Sequence, residues 1–284
     1  MSTELIADRG KFELRGWVAG DAATPTALCI HEAATSAEVW RPLAKAIAPR
    51  ARVVAYDRRG WGRSGAPADY RRTTIAEQRS DLDAVTCELG AEAPLLCGAG
   101  VGAVIALEAL AGDPDRYAGA VLVEPPLLAL VPEATAAIST DVEAIRKTTV
   151  AAGARVGEAG DPRAVAAAGA SAALELYLRG GLSALGAGAE RIPSELSEAD
   201  GRSAYALFAE IAAISGWSVP LAELPALRPP AAVIIAGSTP PFTRRAGEAL
   251  ATRLPGADLR DLPAAGLPQL DRPEELSEIV LELA

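Results

Sequence analysis

A chain of 284 residues, half of them apolar, is long enough to bury a large core as one α/β domain with an insertion or as two small domains. Its formal charge of −10, with no basic cluster, argues against nucleic acid or an anionic membrane surface as a partner. No apolar run approaches the roughly 18–20 residues that span a bilayer, and Met1-Ser2-Thr3-Glu4 opens no basic-then-apolar secretory signal, so a cytoplasmic location is expected.

In chain order, Lys11 to Ala19 alternates as an early antiparallel strand and ends at a Gly20-Asp21 turn. Apolar runs near 26–31, 52–56, 94–97, 119–123 and 231–236 read as buried parallel strands. Helical patterns at about 36–48, 73–90 and 101–112 separate the first four, and this alternation predicts a doubly wound, mostly parallel sheet. Cys29 and Cys97 fall within two of these strands and read as small core hydrophobes in a reducing compartment. Pro125, Pro126 and Pro132 then break the rhythm. Alanine-rich helical stretches follow at about 133–152, 161–178 and 195–214, the second opened by Asp161-Pro162 as N-cap and first turn. Pro220 and the prolines from Pro225 to Pro230 mark the return to the βα pattern, and a last helix, 273–283, starts at Pro273. The expected organisation is a core, 1–128 and 223–284, with a helical cap, 129–222.

Four short motifs carry the chemistry. Leu95 to Ala103 reads as a strand, a tight Gly98-Ala99-Gly100-Val101-Gly102 turn and the start of a helix. Ala27 to Ile30 is an apolar run that ends in His31-Glu32. Asp57-Arg58-Arg59-Gly60-Trp61-Gly62-Arg63-Ser64 follows the next run, and Ala120 to Val123 ends in Glu124-Pro125-Pro126. In this order and spacing the motifs resemble the α/β-hydrolase superfamily, in its capped, epoxide-hydrolase- and esterase-like branch. They correspond to its G-x-S-x-G nucleophile elbow, its HG oxyanion motif, its D-x-R-G-x-G-x-S loop and its sixth strand with the exit to a cap.

The resemblance implies a serine at the elbow, an acid after strand seven and a histidine after strand eight. Here Gly100 stands at the elbow, Pro240 in the acid's place and Gly266 in the histidine's place, with Leu267 there if the count runs forward. The chain's one histidine, His31, belongs to another motif. Ordinary serine esterase chemistry is therefore not expected.

Three other residues are candidates for catalysis. His31 is either a structural histidine beneath the oxyanion loop or the sole imidazole base. Glu32 replaces the glycine of the HG motif; a carboxylate there would repel an oxyanion and suits a protonated acid, a general base or a cationic ligand, or else turns to solvent. Glu124 ends a strand on the carboxyl edge, where ligands of open α/β sheets bind; it is an acid–base group or a relic acid bonded to backbone. All three are expected to converge around Gly100, with Ala33, Trp40, Ala99, Val101 and Trp217 as pocket walls. Asp57, Arg58 and Ser64 read as structural. No phosphate loop, zinc spacing or dinucleotide fingerprint is present, and no cofactor or metal is expected.

Two functions remain open, with an atypical hydrolase as a minor third. One is a repurposed, non-covalent acid–base enzyme of lyase, isomerase, cyclase or water-addition type, acting on a small, largely apolar molecule. The other is a non-catalytic pseudohydrolase that binds a small ligand or a protein partner. Substrate identity and oligomeric state are not legible.

Overall fold

Short runs of β-branched and small apolar residues become the middle of one sheet because parallel strands are covered on both faces. The computed structural model describes residues 2–284 apart from 49, 69, 157–160, 187, 199–200, 219–221 and 229; Pro220 of the predicted return lies outside them. The strands are β1 (Ser2–Asp8), β2 (Glu13–Ala19), β3 (Thr26–Ile30), β4 (Arg52–Tyr56), β5 (Leu95–Ala99), β6 (Gly119–Val123), β7 (Ala231–Ala236) and β8 (Asp258–Leu262). They form one eight-stranded sheet in the order β1-β2-β4-β3-β5-β6-β7-β8. β1 and β2 pair antiparallel, and β2 joins β4 antiparallel; the other neighbours are parallel. This is the predicted α/β class. β1 and β8 were not anticipated: they are edge strands whose exposed, charged residues mask the strand pattern.

Helices cover both faces. On one, α2 (Ile75–Leu89) and α3 (Val101–Gly112) pack Leu82, Val85, Val104 and Leu107 on the sheet. On the other, α1 (Arg41–Ile47) and the C-terminal helix bring Leu43, Ile47, Leu276 and Val280 onto Cys29, Cys97 and Val121. α2 opens with a reciprocal Thr74–Glu77 capping box and stops at Gly90, whose φ of 56° favours glycine.

Between β6 and β7 lie α4 (Thr135–Val156), α5 (Pro162–Leu178) and α6 (Gly201–Gly216), with no strand among the described residues. Asp161 caps α5 by accepting from Arg163 N–H at 3.0 Å. Asp141 on α4 accepts from the backbone N–H groups of Ser183, Ala184 and Leu185 at 2.9, 2.6 and 2.8 Å, which fixes the loop after α5. α7 (Pro241–Ala251), the short α8 (Pro268–Asp271) and α9 (Pro273–Leu283) complete the chain.

The turn from β5 to α3 determines what is possible above the sheet. Gly100 has φ 53° and ψ −122°, neither strand nor helix, and its N–H donates to Val123 O at 2.9 Å. A β-carbon on Gly102 would stand 2.2 Å from Ile30 O, so α3 can approach the tip of β3 only because that position is glycine. Gly102→Ala is expected to lower stability by ~3 kcal/mol, the upper range for overpacking a buried site, read as a shift in the urea midpoint at unchanged m-value.

Candidate functional site

The carboxyl ends of β3, β5 and β6 present Glu32, Gly100 and Glu124 to one cavity, roofed by residues of the inserted helices and their loops. The cavity holds about 100 Å³ and is mainly apolar, with Leu128, Leu207, Ile211 and Ile214 among its walls. Ala33 and Val101 line it, as the sequence predicts.

Glu32 is half-buried, and its side chain rises over the elbow. A β-carbon on Gly100 would lie 2.8 Å from Cβ of Glu32, closer than carbon atoms pack. Gln269 Nε2 on α8 donates to both carboxyl oxygens at 3.2 Å. Burial pushes the Glu32 carboxyl from its ordinary 4.5 up to about 7. The Gln269 hydrogen bond opposes that rise, the nearby charge of Glu124 adds to it, and Arg191 and Arg58 oppose it.

Glu124 reaches the same cavity but is closed off. Arg191 donates to its two oxygens at 3.0 and 2.6 Å, and the Thr239 hydroxyl donates to Oε1. Arg191 Nη1 also donates to Gly266 O at 3.0 Å and to Ser238 Oγ at 3.2 Å. One guanidinium thus bridges the loops after β6, β7 and β8. Glu124 has a φ of +47°, an uncommon backbone state for a side-chain-bearing residue, held in place by its N–H bond to Ile234 O at 2.8 Å. Of the two readings of Glu124, a free acid–base group or a relic acid bonded to backbone, the structure has neither: its carboxyl is held in an ion pair with Arg191.

His31 is a second correction. It is fully buried and does not line the cavity. Its Nε2 accepts the Arg58 N–H at 2.9 Å, which leaves Nδ1–H to donate to Glu32 O at 2.7 Å. Burial, with Arg58 beside it, holds its pKa well below the usual histidine value, so the ring stays neutral and clasps two loops together.

Three predicted walls also lie elsewhere. Ala99 faces the opposite side of the sheet with Cys97 and Val123, as the two-residue period of a strand requires. Trp40 is buried in that same layer against Leu43. Trp217 borders a neighbouring cavity and donates from Nε1 to Glu108 Oε2 at 2.9 Å. Pro240 serves as the residue before α7, and Gly266 donates its backbone N–H to Asp271 Oδ2 at 2.6 Å.

Asp57 and Ser64 are structural, as expected. Asp57 accepts from Ala37 N–H at 2.8 Å and Arg63 N–H at 3.0 Å, and Ser64 Oγ donates to Asp57 O. Arg58 does more than hold its own loop. Fully buried, it forms an ion pair with Glu210 of α6, which also accepts from Trp61 Nε1 at 2.7 Å. Sequence reading misses Arg191, Glu210 and the cavity-lining Tyr177, because each lies in a segment with no motif, and Gln269, because it follows the histidine's place at a position to which the resemblance gives no role. Among the described residues, no group of three or more His, Cys, Asp or Glu side chains could hold a metal ion. No helix among them is long and apolar enough to cross a membrane.

A mostly parallel, doubly wound sheet with its cavity over the β5–α3 turn defines an α/β-hydrolase architecture. The chain belongs to the alpha/beta hydrolase family, whose sequence profile matches residues 27–279. It is similar in fold to the enol-lactonase from Burkholderia xenovorans, with a TM-score of 0.65 and 19% identity over 98% of this chain and 99% of that one. A thermophilic esterase from Thermogutta terrifontis gives 0.67 and 19% over 99% and 97%. At such identities the likeness concerns the fold alone. Two curated relatives match shorter stretches. A putative carbamate hydrolase RutD from Azorhizobium caulinodans is 35% identical over 77 residues, 27% of this chain and 28% of that protein. A haloalkane dehalogenase from Mesorhizobium japonicum is 33% identical over 109 residues, 38% of this chain and 34% of that protein. The matches span about a third or less of these relatives' length.

Two outcomes test this geometry. Gly100→Ser is expected to cost about 2 kcal/mol through overlap with Cβ of Glu32, and much less in a Glu32→Gly background, which removes that atom, so a double-mutant cycle by urea denaturation should give a coupling of about 1–2 kcal/mol. Between pH 4.5 and 7 the folded state keeps the Glu32 proton that the unfolded state releases, so rising pH costs stability. Across that window Glu32→Gln should gain on the order of 3 kcal/mol relative to the unsubstituted protein, with no further change above pH 8.

Proposed function

We propose that this α/β-hydrolase-fold protein works without a Ser-His-Asp triad, as a non-covalent acid–base enzyme on a small, largely apolar molecule. The observation that carries the reading is the Glu32 side chain, whose Cβ lies where a β-carbon at position 100 would have to stand and whose carboxyl lines the same cavity. A carboxyl titrating near 7 is present in both protonation states at neutral pH, so it can deliver a proton to a substrate oxygen and take one from carbon or water. Lyase, isomerase, cyclase and water-addition chemistry all need only that exchange. Arg191, drawn into the space between Glu124, Ser238 and Gly266, supports the absence of an acid–histidine relay. The inserted helices are read as a cap that keeps water from Glu32. Of the relatives, one is named a putative carbamate hydrolase and another a haloalkane dehalogenase; hydrolysis by this chain would have to proceed through water activated by Glu32 rather than through an acyl-serine.

One observation favours the second reading, a pseudohydrolase that only binds. With Glu124 paired to Arg191 and Glu210 to Arg58, Glu32 is, among the described residues, the one cavity carboxyl outside an ion pair, fewer than most two-proton reactions use.

Fluorophosphonate should label no serine, and stoichiometric labelling would overturn the triad-free reading. A panel of small neutral epoxides, enones and β-hydroxyketones should yield a turnover whose pH profile has one limb near 7. Glu32→Gln should lower kcat at least a hundredfold with the fold intact, in the range expected for losing a general acid or base. Turnover untouched by Glu32→Gln would exclude Glu32 as that group. Binding without any turnover would establish the pseudohydrolase instead.

A further inference from the structure

A second cavity adjoins the first. It holds about 190 Å³ and shares Pro126, Leu128, Leu185 and Ile214 with the first as common walls. Its remaining sides include Ala129, Ile138 and Trp217, and its lining carries almost no hydrogen-bonding side chain beyond Ser215 at the edge and the Trp217 indole. That indole N–H is already committed to Glu108. An apolar cavity of about 150 Å³ stays dry and takes up benzene, so this one has room for about six carbons of a substrate.

The first cavity is different in kind. Of the three carboxyls around it, Glu124 is paired with Arg191 and Glu210 with Arg58. Two cations thus face three acids, and the cavity is neutral when Glu32 is protonated and carries one negative charge when it is not. An anionic head is repelled when Glu32 is ionised, while a neutral oxygen can accept a hydrogen bond from protonated Glu32. Only a layer of apolar side chains, Leu128, Leu185 and Ile214 chief among them, divides this polar end from the apolar one.

We propose that the two cavities form one elongated site for an uncharged amphipathic substrate, its oxygen-bearing head at Glu32 and its aliphatic or alicyclic tail in the cavity beside Trp217. The proposal deepens the acid–base reading and rests on it for the head; the tail site stands on the cavity itself. Ile138 and Ala129 bound only the tail end, so they set which tail lengths are accepted without touching the chemistry at Glu32.

The test is a ligand-observed NMR titration with 2-alkanones from 2-butanone to 2-decanone. Affinity should rise about fourfold per methylene, the fold-change that ~0.8 kcal/mol per buried CH₂ gives, until the tail cavity is full. Ala129→Trp, at an exposed position, should plug the cavity and flatten the rise while 2-butanone binds as before. Ile138→Phe should do the same from the opposite wall, and circular dichroism checks that both fold. Octanoate at pH 8 should bind at least tenfold more weakly than 2-nonanone. A flat length dependence in the unsubstituted protein, a slope that survives both plugging variants, or octanoate binding as tightly as the ketone would each overturn the proposal. Glu32→Gln separates the two readings. It should keep the length dependence and lose the pH step near 7. A length dependence with no pH step in the unsubstituted protein would sink the acid–base reading and leave the tail site standing.

Discussion

The space above the β5–α3 turn admits one side chain, and in this protein it comes from β3. Gly100 must hold φ 53° for the strand to reverse into α3, and that backbone points any β-carbon straight at Cβ of Glu32, 2.8 Å away. A side chain at 100 and a glutamate at 32 are therefore alternatives, not independent choices. Much else follows from which alternative is taken. With Glu32 in place, the oxyanion loop contributes a carboxyl rather than a bare backbone, and Gln269 is recruited from α8 to bond it. The cavity then has an acid at its floor where a hydroxyl would otherwise have stood.

Electrostatics around that floor are arranged by two crossed ion pairs. Arg58, from the core, meets Glu210 of the inserted α6; Arg191, from the inserted segment, meets Glu124 of the core. Each pair carries one partner from each layer, so both tie the insertion down over the sheet. Such buried pairs add little net stability over an apolar replacement, but removing one partner leaves a charge stranded and costs about 3–5 kcal/mol. Their second effect is on Glu32. Of the three cavity carboxyls it is the one with no arginine bonded to it, and burial without a cation is what lifts its proton affinity. The charge state of the site is thus set by which acids the arginines have already taken.

How much of this was legible in the sequence depends on whether the signal was local. The central strands and α2, α3 and α9 could be read because apolar runs and helical periods survive wherever both faces are covered. β1 and β8 were missed because edge strands expose charges along one side. The placement of Glu32 and Gly100 at one cavity followed from adjacent strand ends, a geometry that topology dictates. The sequence leaves His31 between a structural histidine and a base, because nothing local reveals that Arg58 N–H and Glu32 O take both of its ring nitrogens. Trp40 and Ala99 were misassigned to the pocket because their side chains point to the other face of the sheet. Arg191 lies just beyond an Ala/Gly-rich patch, in a stretch with no pattern, and its importance comes entirely from the three loops that converge on it in space.

A single carboxyl titrating near neutrality constrains the chemistry more than a pair would. Reactions that divide their work between a fixed acid and a fixed base keep two groups with separated proton affinities. Here the second candidate, Glu124, spends both its oxygens on Arg191 and Thr239 and has no lone acid–base task left. A catalyst with one such group must return the proton it takes, or receive it again from water or from the substrate itself. Proton transfer within one molecule, or addition and loss of water at a polarised bond, meets that requirement; cleavage through a covalent acyl intermediate, which needs a nucleophile and a relay besides, does not. On the proposed reading, the pairing of the other two acids with arginines serves the same end, because a cavity with its remaining charges cancelled lets the Glu32 proton respond to a substrate's oxygen rather than to an unpaired neighbouring ion.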